Sequence, residues 1–315
     1  MEAIVRALLP IWAKPGLEGR LPEWLDVDWW ESVEQLLELA PTAQIGWFDM
    51  HAKPPALEAI AKAQKLEWLC SGYAGVDWMP LDDLAARGVS LTCGAGLAAN
   101  QVAEFAVMAM LAQRRGYREI VRAQDRHEWL QVPPTTVEMT GTRALVLGFG
   151  AIGQTMARML AGFGVECVPV RSRAGEGVLG PDEWRAQLGD FDWVVLTLPS
   201  TPETNDMFGA DELAAMKTDA VLVNYGRAEV VDQDALVTAL EGKAIGGAIL
   251  DVTLPEPLPP EHKLWTLENA HITMHLCGIP NDASRQRAID RFLANCERFR
   301  AGQALEAQVD LARGY

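Results

Sequence analysis

"LVLGFGAIG", residues 145–153, is an apolar run that breaks into glycine at positions 148, 150 and 153. A strand that ends in G-x-G-x-x-G and opens a helix is the turn that receives a dinucleotide pyrophosphate. Gly148 permits the tight turn, Gly150 lets the backbone approach the phosphates, and Gly153 lets helix and strand pack closely. The helix is written in the letters that follow, because Ile152, Met156, Met159, Leu160 and Phe163 keep helical spacing up to Gly164. Its first turn, with Ala151 and Ile152, offers amide donors and the positive end of a helix dipole to an anion. An ordinary glycine-rich turn shares these letters, but the strand, helix and second strand around them favour dinucleotide binding.

Working outward, six strand-like runs recur from Arg143 onward: "RALVLG", "ECVPV", "WVVLTL", "AVLVNY", "GAILDV" and "HITMH". Continuous apolar runs alternating with helical segments predict a parallel sheet covered on both faces. Upstream, "AIVRALL", "QIGWF", "LEWLCSG" and "VSLTC" predict a smaller parallel unit ending near Ala98. Between the two, residues 100–124 lack proline and predict one long helix from Gln101 to Gln124, with Val102, Phe105, Ala106, Ala109 and Met110 on one face. "WLDVDWW", residues 24–30, reads as aromatic helix packing. The tail "DASRQRAIDRFLANCERFRAG" predicts an amphipathic helix that turns Ile289, Phe292, Leu293 and Cys296 inward and packs back on the first unit. The expectation is an α/β protein of two Rossmann-like domains with doubly wound parallel sheets. Residues 1–97 plus 277–315 form a discontinuous substrate-binding domain, and 98–276 form the dinucleotide-binding domain.

The formal charge of −16, from 43 acidic and 27 basic residues, repels nucleic acid and anionic membrane surfaces. No apolar run approaches 18 residues and no charged segment precedes an apolar one at the N-terminus, so a cytoplasmic protein without membrane contact is expected. Cys70, Cys93, Cys167, Cys277 and Cys296 are scattered singly, without metal-ligand spacing, which predicts reduced thiols and no metal. Small-molecule chemistry remains.

The second strand of an NAD-binding unit ends in a carboxylate that accepts hydrogen bonds from the adenosine ribose. Here "ECVPVRSR" ends in Arg171, Ser172 and Arg173. Two guanidinium forks and a hydroxyl suit a ribose 2′-phosphate. NADPH or NADP is therefore the expected cofactor, with NADH possible but weaker. In open α/β sheets ligands lie outside the carboxyl ends of the strands, where Arg227, Asp251, Glu256 and His275 fall. Histidine titrates nearest neutral pH, and a carboxylate beside it orients the ring and favours its protonated form. His275 and Glu256 can fill those roles. Arg227 can clamp a substrate carboxylate in two parallel hydrogen bonds and polarise the adjacent carbonyl. Of the other histidines, His51, His127, His262 and His271 are expected at the surface.

"GFGAIG", "LPSTPET", "NYGRAEVVDQDAL", "AILDVTLPEPLP", "HKLWTLENAHIT" and the His275 position together resemble the successive signatures of the D-isomer-specific 2-hydroxyacid dehydrogenase family over about residues 66–315. The resemblance implies that Arg227, Glu256 and His275 are catalytic, that Asp251 holds the nicotinamide carboxamide, and that Leu198, Pro199 and Thr204 line the dinucleotide. It implies that the backbone of Ala74, Gly75 and Val76 in "GYAGVD" receives the substrate carboxylate, with Tyr73 and Trp47 lining the pocket. The basic turn and the ending "VDLARGY" look most like the NADPH-preferring glyoxylate/hydroxypyruvate reductases of the family. A homodimer is implied as well, as is a short 2-oxoacid as substrate. Two positions depart from the pattern: Met274 stands where proline usually precedes the histidine, and Ala228 where glycine usually follows the arginine. The competing expectation is a dinucleotide-sensing binding protein of the same fold without turnover, like the family's transcriptional corepressors. Such a protein would usually need partner-binding extensions. Formate dehydrogenases, with glutamine near the histidine, and phosphoglycerate dehydrogenases with a regulatory domain fit less well.

Overall fold

The computed structural model describes residues 4–314, so Tyr315 of the "VDLARGY" ending and Ala3 of the first apolar run lie outside the described residues. Two compact units emerge, Met1–Ala98 with Pro280–Tyr315, and Ala99–Ile279. Each is a parallel sheet with interspersed helices, the α/β, Rossmann-like architecture predicted from the run pattern. No helix among the described residues is long and apolar enough to cross a membrane.

In the first unit, strands β1 (Val5–Pro10), β2 (Leu25–Trp30), β3 (Ile45–Trp47), β4 (Trp68–Cys70) and β5 (Ser90–Thr92) take the order β2-β1-β3-β4-β5. Its helices are α1 (Lys14–Leu17), α2 (Val33–Leu39), α3 (Lys53–Lys62), α4 (Leu81–Ala86) and α10 (Asp282–Arg300). The aromatic segment 24–30 is strand β2 and not helix packing. Leu25, Val27 and Trp29 alternate with Asp26 and Asp28, a period-two pattern that suits an edge strand. Asp28 also accepts a 3.0 Å ion pair from Arg6 on β1. One of the unit's two buried clusters is built on α10. Phe292, fully buried, stacks on Trp68 at 5.1 Å and on Trp47 at 5.7 Å.

In the second unit, β6 (Arg143–Leu147), β7 (Glu166–Val170), β8 (Trp193–Leu196), β9 (Val221–Asn224), β10 (Gly247–Leu250) and β11 (Ala270–Ile272) correspond to the six predicted runs. They pair in parallel as β11-β10-β9-β8-β6-β7. The order reverses at β6, whose neighbours are β7 on one side and β8 on the other, and such a switch point opens a crevice beyond the carboxyl ends of the strands. Helices α5 (Ala99–Arg114), α6 (Tyr117–Asp125), α7 (Ala151–Ala161), α8 (Ala210–Ala215) and α9 (Gln233–Glu241) complete the unit. The long helix expected over 101–124 is two helices. Gly116 takes φ +60°, outside the right-handed helical region, and a Cβ there would lie 2.7 Å from Pro134. The chain turns at that glycine because no other residue fits it.

The stacking of Phe292 sets a stability expectation. Phe292→Ala should cost about 3–5 kcal/mol, the usual range for deleting a buried aromatic. Chemical denaturation followed by tryptophan fluorescence should show the loss as a lower midpoint.

Candidate functional site

The glycine turn has the form its letters predict. Gly148 has φ +91°, and a Cβ on it would meet the carbonyl carbon of Thr197 at 2.8 Å. A Cβ on Gly153 would lie 2.4 Å from the carbonyl oxygen of Gly148. The Thr197 hydroxyl donates to that same carbonyl and closes the turn against the end of β8. Gly150 differs, since a Cβ there would point into open space with nothing within 4 Å. The first intrahelical bond of α7 is donated by Gln154 to the Gly150 carbonyl at 3.0 Å. The amides of Ala151, Ile152 and Gly153 precede it and have no helical acceptor. An open cradle at Gly150 beside these donors fits a dinucleotide pyrophosphate.

Arg171 follows β7 and folds back on this turn. Its Nη2 donates to the Phe149 carbonyl at 2.9 Å, and its guanidinium lies 5.4 Å from the centre of the Phe149 ring. Ser172 and Arg173 are exposed beside it. Beyond β8, Thr204 accepts from the Thr201 amide at 2.8 Å and donates to the Pro199 carbonyl at 2.7 Å, which fixes the Leu198–Thr204 segment.

Past β9, Gly226 approaches the segment after β8 so closely that a Cβ would sit 2.6 Å from the Leu198 carbonyl oxygen. Asn224 accepts from the Gly226 amide at 3.0 Å and donates to the Arg227 carbonyl at 2.9 Å, so the backbone carrying Arg227 is held from β9 itself. Asp251, at the end of β10, is 2% exposed. Its Oδ1 accepts from the Thr273 hydroxyl and its Oδ2 from the Cys277 thiol, each at 2.6 Å. Burial and this carboxylate push the Cys277 thiol well up, so it remains a protonated donor. Glu256 Oε1 accepts from the Thr253 amide at 3.2 Å, and its Oε2 meets His275 Nδ1 at 2.8 Å.

His275 stands in a tight turn that sequence reasoning left unresolved. Met274 and His275 both have φ +56°, and the Leu276 amide donates to the Thr273 carbonyl at 3.2 Å. Positive φ at both central residues is a type I′ turn. Proline cannot reach that φ, so methionine at 274 gives His275 an approach that proline would forbid. The His275 amide donates to the Asp251 carbonyl at 2.6 Å and locks the turn onto β10.

In the first unit, Tyr73 donates its hydroxyl to the Met50 carbonyl at 3.0 Å and sets its ring edge-on to Trp78. Ala74 is exposed. Among the described residues no acceptor pairs with the amides of Ala74, Gly75 or Val76, although the Val76 side chain itself is buried in the core. Trp47 is not a pocket residue. It is 1% exposed, stacked on Phe292 and edge-on to Trp12, because the inward register of β3 puts it in the core. His271 is half-buried and not superficial. Burial, then Arg118 and Arg122, holds its ring down to about 4. His262 caps a 3₁₀ turn by accepting from the Leu264 amide.

Several supports carried no sequence signal. Gln233 grips Leu254 by both its amide and its carbonyl, steadying the loop that carries Glu256. Gln101 donates to the carbonyls of Cys277 and Ile279 beyond His275. Only Asn224, beside a glycine and an arginine at a strand end, offered a readable hint. Met274→Pro is expected to break the type I′ turn and lower stability by more than about 1 kcal/mol, because proline cannot take the native φ. Met274→Gly, free to take positive φ, should keep it. Thermal unfolding monitored by circular dichroism compares the two.

Residues 107–277 match the family model described as D-isomer specific 2-hydroxyacid dehydrogenase, NAD binding domain. The chain is 30% identical over 259 residues to a glyoxylate reductase of Korarchaeum cryptofilum, spanning 79% of this chain and 78% of that protein. It is similar in structure to a D-isomer specific 2-hydroxyacid dehydrogenase family protein of Aeromonas salmonicida, with a TM-score of 0.86 and 29% identity over 98% of this chain and all of that one. A second structure, an NADPH-dependent glyoxylate/hydroxypyruvate reductase of Sinorhizobium meliloti in complex with NADP and sulfate, has a TM-score of 0.81 and 25% identity over 99% of this chain and all of that one. The family match runs from inside α5 through the glycine turn to His275 and its neighbours, the same segment whose geometry was built above. The chain belongs to the D-isomer specific 2-hydroxyacid dehydrogenase family and is an NAD(P)-dependent dehydrogenase.

Proposed function

We propose that the chain reduces a short 2-oxoacid of the glyoxylate or hydroxypyruvate type to a D-2-hydroxyacid, with NADPH as reductant. The observation that carries this reading is the 2.8 Å contact of His275 Nδ1 with Glu256. It commits one ring nitrogen to a carboxylate and leaves Nε2 to give a proton to the substrate carbonyl oxygen. The nicotinamide, when bound, supplies the hydride for C2. Glu256 fixes the orientation of the ring. Arg227 clamps the substrate carboxylate and polarises the carbonyl, and the amides of Ala74, Gly75 and Val76 receive that carboxylate. Asp251, its carboxylate fixed by Thr273 and Cys277, would hold the nicotinamide carboxamide. Gly148, Gly150, Ala151, Ile152 and Gly153 cradle the pyrophosphate, flanked by Leu198, Pro199 and Thr204. The activities by which the Korarchaeum and Sinorhizobium proteins are named support the substrate class.

We also infer a homodimer. Tyr117, Trp129 and Val132 are exposed, Trp129 by 88%, on and after α6, and aromatic side chains are enriched at protein interfaces. Sedimentation or light scattering at micromolar concentration reads it directly.

A spectrophotometric screen of NADPH oxidation against glyoxylate, hydroxypyruvate, pyruvate and bulkier 2-oxoacids tests the substrate class. Dinucleotide binding without turnover of any of them would favour the sensor reading. His275→Asn should lose about 10² to 10⁴ in kcat while retaining NADPH binding, since it removes the proton donor alone. For cofactor choice, each charge-assisted bond from Arg171 and Arg173 to a 2′-phosphate is worth about 1.5–3 kcal/mol before screening. Arg171→Asp should therefore shift the kcat/KM ratio strongly toward NADH. An unchanged ratio would make the two arginines no more than a solvated turn.

A further inference from the structure

Asp49 lies two residues beyond β3 and receives three hydrogen bonds. Its Oδ2 accepts the Trp47 indole N–H at 2.9 Å and the Gly72 amide at 2.5 Å, and its Oδ1 accepts the Ser71 hydroxyl at 2.8 Å. The Ser71 oxygen in turn accepts the Tyr73 amide at 3.1 Å. From the other side the Gly94 amide donates to the Tyr73 carbonyl at 2.6 Å, and a Cβ on Gly94 would strike the Gly72 carbonyl oxygen at 1.9 Å. Residues 71–73 are thus gripped on both sides, and the next three residues are those whose amides have no acceptor among the described residues.

We propose that Asp49 is a positioning residue for 2-oxoacid binding: its carboxylate fixes segment 71–73 so that the amides of Ala74, Gly75 and Val76 converge on the substrate carboxylate. This rests on the substrate reading given above. Burial raises the Asp49 carboxyl from its usual range, and the donors from Gly72, Ser71 and Trp47 oppose that rise. A buried carboxylate is costly unless its partners are used, and here both oxygens meet donors. The charge-assisted bonds to Gly72 and Ser71 are the shorter and stiffer kind. They stand immediately before the three donor amides. The Trp47 bond explains why a tryptophan in the core still bears on the site: it anchors Asp49 and does not reach the ligand.

Steady-state kinetics with glyoxylate and hydroxypyruvate, together with NADPH binding read from fluorescence, test the proposal on Asp49→Ala, Asp49→Asn and Ser71→Ala in the full chain. Asparagine can turn its carbonyl oxygen to Gly72 and Trp47 and its amide nitrogen to the Ser71 oxygen, so it preserves the geometry. Asp49→Ala is expected to raise the KM for the oxoacid by about tenfold or more, as a misplaced binding group does. NADPH affinity should stay unchanged, because the dinucleotide turn belongs to the other unit. Asp49→Asn should restore most of the KM. Ser71→Ala, which removes only the bridge to Tyr73, should raise KM less than Asp49→Ala does, and it decides the matter if Asp49→Ala does not fold. An unchanged oxoacid KM in Asp49→Ala or Ser71→Ala, or a parallel loss of NADPH affinity, overturns the proposal. A wild-type protein that turns over neither oxoacid instead overturns the substrate reading, and the positioning role with it.

Discussion

At the carboxyl ends of β6, β8 and β9 the chain packs backbone against backbone. Gly148 and Gly226 face the Thr197–Leu198 peptide from opposite strands, and Gly153 faces the Gly148 carbonyl, all at distances that no Cβ could share. This contact brings the glycine turn, the segment after β8 and the start of the Arg227 segment to one place. The N-terminus of α7 aims its free amides where Gly150 leaves space, and Arg227 begins one residue beyond a glycine that cannot be replaced without moving β8. The glycine turn and the Arg227 segment therefore share one constraint, and a side chain added at Gly148 or Gly226 should disturb both.

The second organising feature is charge placed against the average. A chain of formal charge −16 handles an anionic dinucleotide and, on the reading proposed here, an anionic oxoacid. On that reading the donors are local: the α7 terminus, Arg171 on the Phe149 turn, Arg227 after β9 and the amides after Tyr73. The acidic groups among these donors are tied down. Glu256 is held by Thr253 and His275, Asp251 by Thr273 and Cys277, and Asp49 by Trp47, Ser71 and Gly72. Each carboxylate orients a neighbour and meets donors on both oxygens.

Much of this was legible in the letters and some was not, for identifiable reasons. The central strands of the second unit, β6, β8, β9 and β10, are buried on both faces and read as unbroken apolar runs, so they stood out with the glycine turn. Strand β2 did not, because three tryptophans in seven residues look like packing material while the Asp26 and Asp28 alternation is short. The break after α5 was missed because one glycine in a helical pattern is usually tolerated, and the contact with Pro134 that forbids a side chain there is remote in sequence. Trp47 was misplaced because exposure depends on strand register, which three residues of β3 do not reveal. The type I′ turn under His275 lay beyond propensity, since methionine carries no preference for positive φ. Asp49 was invisible because its partners are two and some twenty residues away and become neighbours only when β3 pairs with β4.

In the proposed reaction hydride reaches C2 from one face and His275 gives a proton to the oxygen. The most direct measurement is chiral analysis of the product formed from hydroxypyruvate and NADPH that carries deuterium at both hydrogen positions of nicotinamide C4. The account predicts D-glycerate carrying one deuterium at C2. L-glycerate, a racemate, or product without the label would contradict it.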